Sequence, residues 1–135
     1  MESNRYLLDT HTLIWFQEDN PKIPIEVLSI IENPDNIILF SQISLFEIAI
    51  KQKIGKLPNF AATIKEIYDQ AVNDTFTFVG IQNAHIYGYA GVELIDHHRD
   101  PFDRLLISTA IEENAIILSN DDKLKFYNTQ VKIFW

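Results

Sequence analysis

The chain contains no cysteine, which excludes a disulfide framework and a thiolate metal site. No apolar run approaches the roughly 18 residues that a membrane span needs. The opening residues, MESNRYLLDT, lack the basic, apolar and small-residue succession of a secretory signal. Together these absences lead us to expect a soluble, cytoplasmic protein with no membrane partner. Glycine is sparse, at 4 residues, and no glycine-rich GK[ST] run exists, so a P-loop is excluded. Basic residues are also few: 11 Lys and Arg stand against 19 Asp and Glu, for a net charge of −8 and a pI near 4.8. That balance argues against a protein that grips nucleic acid mainly through a basic surface.

What is present is a chain of 135 residues, 47% hydrophobic, enough for one domain around one core. There is no repeat, low-complexity segment or linker. Short apolar runs alternate with helical patterns, the signature of an α/β domain with a largely parallel sheet. Residues 5–8, 36–40, 75–79, 115–119 and 131–134 read as strands. Helices are expected over 10–18, 24–31, 43–54, 60–72, 83–92 and 101–113, with Gly55 closing the third and Gly88 and Gly91 weakening the fifth.

An acidic chain has two explanations: solubility, or carboxylates gathered around a cation. Their placement decides. Asp9 follows the run Tyr6-Leu7-Leu8 and precedes a helix. Ligands of open α/β sheets bind beyond the carboxyl ends of strands, where Asp9 would stand; a plain helix N-cap is the competing role. Glu47 falls at the edge of the apolar stripe Ile43, Phe46, Ile50, Ile54 and Leu57. A charge there is costly to bury unless paired or bound to a cation, and Lys51, four residues on, offers a pair. Asp103 heads the stripe Leu106, Ile107, Ala110 and Ile111. Asp100 precedes Pro101 and reads first as an N-cap, with proline at N1. Asp121 lies just past the strand AIILS, and its neighbour Asp122 is expected to point elsewhere or to cap the short helix that follows.

If these acids converge, they need a counter-charge. Two carboxylates about 5 Å apart repel by roughly 3 kcal/mol at an effective dielectric near 20. A hard divalent cation with oxygen ligands meets that need, and Mg²⁺ or Mn²⁺ suits a chain with no cysteine and no zinc-like histidine spacing.

The segments YLLDTHTLIWF, SQISLFEIAIKQKIGKL, HHRDPFDRLLISTAI and AIILSNDDKLKFY, in that order, resemble the PIN-domain toxins of VapC type over nearly the whole chain. The resemblance implies a single PIN domain over residues 1–135, with a three-layer fold and a five-stranded, mainly parallel sheet flanked by helices. It implies an Mg²⁺- or Mn²⁺-dependent endoribonuclease leaving 5′-phosphate and 3′-hydroxyl ends, a homodimer, and a cognate antitoxin. By position, the family's acids fall on Asp9, Glu47, Asp103 and Asp121, with Asp100 an extra acid in the DPFDR text. The family often has threonine, any residue, aspartate at its last motif; here it is Ser119-Asn120-Asp121, which keeps the hydroxyl.

Cations near these acids are Arg99, Arg104, Lys51 and Lys53, and His97 and His98 lie in the same stretch as the third acid. Lys53, Lys56 and the histidine pair read first as surface groups, while Arg104 stays open between substrate contact and helix-face charge. Tyr6, Trp15, Phe16 and Phe46 read as core or interface aromatics rather than base-stacking platforms, with Trp15 and Phe16 candidates for a dimer or antitoxin surface. Competing functions are a metal-dependent hydrolase of DNA or small phosphate esters, a non-catalytic PIN-fold binding module, and a purely structural protein. A phosphoaspartate enzyme would want Asp-X-Asp after the first strand, where Asp9-Thr10-His11 stands.

Overall fold

The computed structural model describes residues 4–95 and 100–135. Five strands form its sheet: β1 (Arg5–Leu8), β2 (Ile37–Ser41), β3 (Thr77–Val79), β4 (Ile116–Leu118) and β5 (Ile133–Phe134). Six helices accompany them: α1 (Thr10–Gln17), α2 (Ile25–Glu32), α3 (Gln42–Lys53), α4 (Ile64–Asn73), α5 (Asn83–Tyr89) and α6 (Pro101–Glu112). A 3-10 turn, Leu124–Tyr127, lies between β4 and β5. Every strand pair is parallel, in the order β3-β2-β1-β4-β5.

The central strands are apolar on both faces because helices cover both. Leu7 and Leu8 are each fully buried but enter different cores. Leu8 packs with Leu13, Val27, Phe40 and Ile67 on one side of the sheet. Leu7 packs with Leu39, Ile107, Ala110 and Ile117 on the other. This is a three-layer α/β fold.

Strand order creates the site. From β1 the chain winds outwards through β2 to β3, then returns to place β4 on the opposite side of β1. Leu7 pairs with Leu39 on one flank and Ile117 on the other. The connections after β1 and β4 therefore diverge and leave a crevice at their carboxyl ends, where such sheets bind ligands. Asp9 and Asp121 follow those two strand ends.

All five expected strands are present, with shifted edges. β3 starts at Thr77 rather than 75, because Thr75 has a φ of +67° and closes α4 instead. α4 itself begins at Ile64 rather than 60. Thr63 Oγ1 accepts the Glu66 N–H at 3.1 Å while Glu66 Oε1 accepts the Thr63 N–H at 3.0 Å, a capping box that sets the start. α5 stops at Tyr89 rather than 92. Gly55, at φ +77°, ends α3 as expected: its N–H bonds to Gln52 O and the Lys56 N–H to Lys51 O.

The apolar stripe on α3 is rotated from its expected position. Ile43, Ser44, Leu45 and Ile48 are buried, whereas Phe46 and Ile54 are more than half exposed. The helix packs against α1 and α4 as well as α6, so its covered arc is not the one that periodicity alone marks. Among the described residues no helix is long and apolar enough to cross a membrane.

Candidate active site

Asp9 is both a cap and a site residue. Its Oδ1 accepts the Thr12 N–H at 2.8 Å, fixing the start of α1, and its Oδ2 accepts the Ser119 hydroxyl proton. The side chain is buried, and burial pushes its carboxyl above the ordinary carboxylate value. Hydrogen bonds from Ser119 and Thr12, and the nearby His11, oppose that shift without cancelling it.

Glu47 is held at two points. The Thr10 hydroxyl donates to Oε1 at 2.5 Å, and Lys51 Nζ lies 3.2 Å from Oε2. The ion pair that competed with a ligand role is thus real, and Glu47 sits beside the crevice as well. Asp100 caps α6 by accepting the Phe102 N–H at 2.9 Å, with Pro101 at the first helical position. Asp103 stands in the first turn of the same helix. Asp121 donates its N–H to Ser119 Oγ at 3.0 Å and accepts the Lys123 N–H at 2.9 Å. Asp122 is exposed and pairs with Lys125 at 3.1 Å, so the doublet divides between crevice and surface.

Asp9, Glu47, Asp100, Asp103 and Asp121 line one cavity of about 130 Å³. They arrive from β1, α3, α6 and the segment after β4. Lys51, Lys123 and His11 share its wall. Lys123 and His11 gave no sequence signal as site residues beyond standing two places from Asp121 and Asp9.

A family model for the PIN domain matches residues 6–130. The chain belongs to the PIN domain family. Solved structures similar to this PIN domain include VapBC2 from Rickettsia felis bound to a DNA fragment from its promoter, at 19% identity and a TM-score of 0.69, covering 96% of this chain and 97% of that one. VapBC-1 from nontypeable Haemophilus influenzae matches at 18% identity and a TM-score of 0.62, over 96% of each chain. FitAcB from Neisseria gonorrhoeae matches at 17% and 0.60, again over 96% of each. At such identities the likeness is one of fold. A direct comparison with curated protein sequences gives no match.

The donor set of the PIN domain fits a hard, hydrated cation. All five acids offer oxygen, the donor a hard cation takes. Among the described residues no group of three or more His, Asp or Glu stands close enough together to hold an ion as the side chains lie.

The expected cations fare differently. Arg104 is turned into the fold: it is buried, and its Nε donates to the Tyr89 hydroxyl at 3.0 Å. Lys51 is committed to Glu47, and Lys53 and Lys56 are exposed. Arg99, His97 and His98 lie outside the described residues. Phe46 is exposed and meets Phe102 edge-on at 5.8 Å.

Proposed function

We propose that this PIN domain is a divalent-metal-dependent endoribonuclease, the toxin of a toxin–antitoxin pair. The observation that carries the reading is the convergence of five carboxylates from four chain segments on the cavity at the sheet's switch point. Asp9, Glu47, Asp103 and Asp121 would hold Mg²⁺ or Mn²⁺, with Asp100 as a further oxygen donor. When bound, such an ion supplies an activated water and charge stabilisation for phosphodiester hydrolysis.

The chain's own residues supply the geometry. Ser119 and Thr12 fix both oxygens of Asp9, so that ligand needs no reorganisation. Thr10 fixes Glu47 on one oxygen, and Lys51 screens the other. Glu47 or Asp103, the two acids carried on helices, would orient the water. Lys123 would supply positive charge for the phosphates of an incoming strand, which an acidic chain must provide locally.

The toxin assignment is supported by the ordered resemblance to VapC-type sequences and by the fold shared with VapBC2, VapBC-1 and FitAcB. It carries with it an RNA substrate, a cognate antitoxin, a homodimer and a cytoplasmic setting. The test is cleavage of total RNA by antitoxin-free protein with Mg²⁺, Mn²⁺ or chelator, new 5′ ends being mapped by sequencing. Discrete, metal-requiring cuts that vanish in Asp9→Asn and Asp103→Asn are expected. Cuts that persist in Asp103→Asn would remove that residue from the site, and cuts in DNA alone would redirect the reading to a deoxyribonuclease.

A further inference from the structure

A second cavity, of about 330 Å³, adjoins the acidic one and shares Asp9, His11 and Asp121 with it. Its remaining wall is Trp15 and Asn120. We propose that His11 and Trp15 form a shelf on which an unpaired nucleobase, neighbouring the cleaved phosphodiester, stacks.

His11 and Trp15 are four residues apart, one turn along α1, so their side chains lie on the same face. Their ring centroids are 6.0 Å apart at 55°. α1 starts from the Asp9 cap, so the helix that carries the shelf is positioned by the same residue that lines the acidic cavity. Trp15 is half-buried and backed by the core cluster around Leu13 and Val27, with Trp135 at 5.8 Å. The ring is therefore held in place while still bordering open space. A rigid aromatic costs little entropy to stack against and accepts any base, because every base has a π-face.

The polar groups around the shelf match a nucleotide. Lys22 Nζ sits 5.3 Å from the Trp15 centroid, a cation against the ring. Asn120, at the cavity wall, carries an amide with both donors and acceptor, the equipment for a base edge. Against an overall charge of −8, a strand running from Lys123 past Trp15 to Lys22 would meet positive charge at both ends. The shelf rests on the ribonuclease reading, but it is testable apart from it.

The chain has two tryptophans, so Trp135→Phe leaves Trp15 as the sole reporter. Emission of that protein is followed during titration with a short single-stranded RNA and with the same RNA carrying abasic positions. Intact RNA should quench Trp15 and abasic RNA should not. In cleavage assays Trp15→Ala should raise KM roughly 5- to 100-fold with kcat little changed, and Trp15→Phe should restore most of the loss. Abasic substitution should impair the wild type by a similar factor and add nothing to Trp15→Ala. A core-packing role would not produce that coupling. Cleavage without quenching, and with equal abasic penalties in wild type and Trp15→Ala, would overturn the shelf and leave the nuclease standing. Quenching without cleavage would keep the shelf and remove the nuclease. Neither binding nor cleavage of RNA would overturn both.

Discussion

The Ser119 hydroxyl joins the two strand-end acids: it donates to Asp9 Oδ2 and accepts the Asp121 N–H at 3.0 Å. Ser119 is wholly buried, so no water replaces it. Ser119→Ala should cost about 1–3 kcal/mol, the usual penalty for leaving a buried polar partner unpaired. RNA cleavage should fall at least about tenfold as Asp9 loses its second anchor. Ser119→Thr, which keeps the hydroxyl, should recover most of the activity. Thermal melts and single-turnover rates on the three proteins check this; an unaffected Ser119→Ala would show the bridge to be idle.

Asp9 ties stability to pH. Its folded-state carboxyl lies above the unfolded value, because burial disfavours the charged form. Between those two values the folded state binds the extra proton, so this contribution is complete at lower pH and is lost as pH rises through the folded pKa. Each pH unit separating the values corresponds to about 1.4 kcal/mol. Metal-free Asp9→Asn, which keeps the cap acceptor for the Thr12 N–H, should therefore melt above the metal-free wild type at neutral pH while being inactive. Mg²⁺ should narrow that gap by stabilising only the wild type. Melting curves across pH, with chelator and with Mg²⁺, decide it; a less stable Asp9→Asn under chelator would contradict the burial cost.

Lys51 holds Glu47 Oε2 at 3.2 Å and lines the acidic cavity. A fixed positive charge there competes with a divalent ion. Lys51→Met should lower the Mg²⁺ concentration needed for half-maximal thermal stabilisation by roughly 3- to 10-fold, the effect of about 1 kcal/mol. An unchanged midpoint would place the ion away from Glu47.

Gly88 sits where α5 meets α6. A Cβ there would lie 2.7 Å from Ser108 Oγ and 3.0 Å from Glu112 Oε1. Ser108 cannot simply turn aside, since its buried hydroxyl donates to His85 O at 2.5 Å. Gly88→Ala should destabilise by about 1–3 kcal/mol, as overpacking does. Adding Ser108→Ala should relieve part of the clash, an interaction that a double-mutant cycle in denaturant would read directly.

Thr75 carries a β-branched side chain at φ +67°, where it ends α4 through bonds from its own N–H to Val72 O and from the Phe76 N–H to Ala71 O. Thr75→Gly should stabilise by about 0.5–1 kcal/mol without altering cleavage, since the left-handed conformation costs a β-branched residue about 1–2 kcal/mol and glycine little. A loss of stability would mean that the Thr75 hydroxyl, which donates to Asp74 O at 2.6 Å, outweighs the strain.

Much of the fold was legible because buried parallel strands leave continuous apolar runs; β2 and β4 are plain from Ile38-Leu39-Phe40 and Ile116-Ile117-Leu118. The start of α4 was legible too, in Thr63 and Glu66, but apolar periodicity running back to Phe60 masked the cap. The acids at positions 9, 47, 100, 103 and 121 could be picked out from strand ends, helix heads and family text. The rest depended on tertiary geometry. Periodicity did not show which way Arg104 turns, because its partner Tyr89 comes from another helix. Lys123 gained its position beside Asp9 only through the return of β4 to β1.

That return has a consequence for the order in which the molecule comes into being. Ser119 and Asp9 are 110 residues apart, and β1 has no neighbour on one side until Ile116–Leu118 has been added. An emerging chain on the ribosome can build β1, β2 and β3 with their helices, yet it holds only part of the acidic set. Of the five acids that line the cavity, Asp121 is the last to be added, after β4. Until β4 is in place the five carboxylates cannot share one cavity, so on the reading proposed above a chain ending before β4 would lack a complete site.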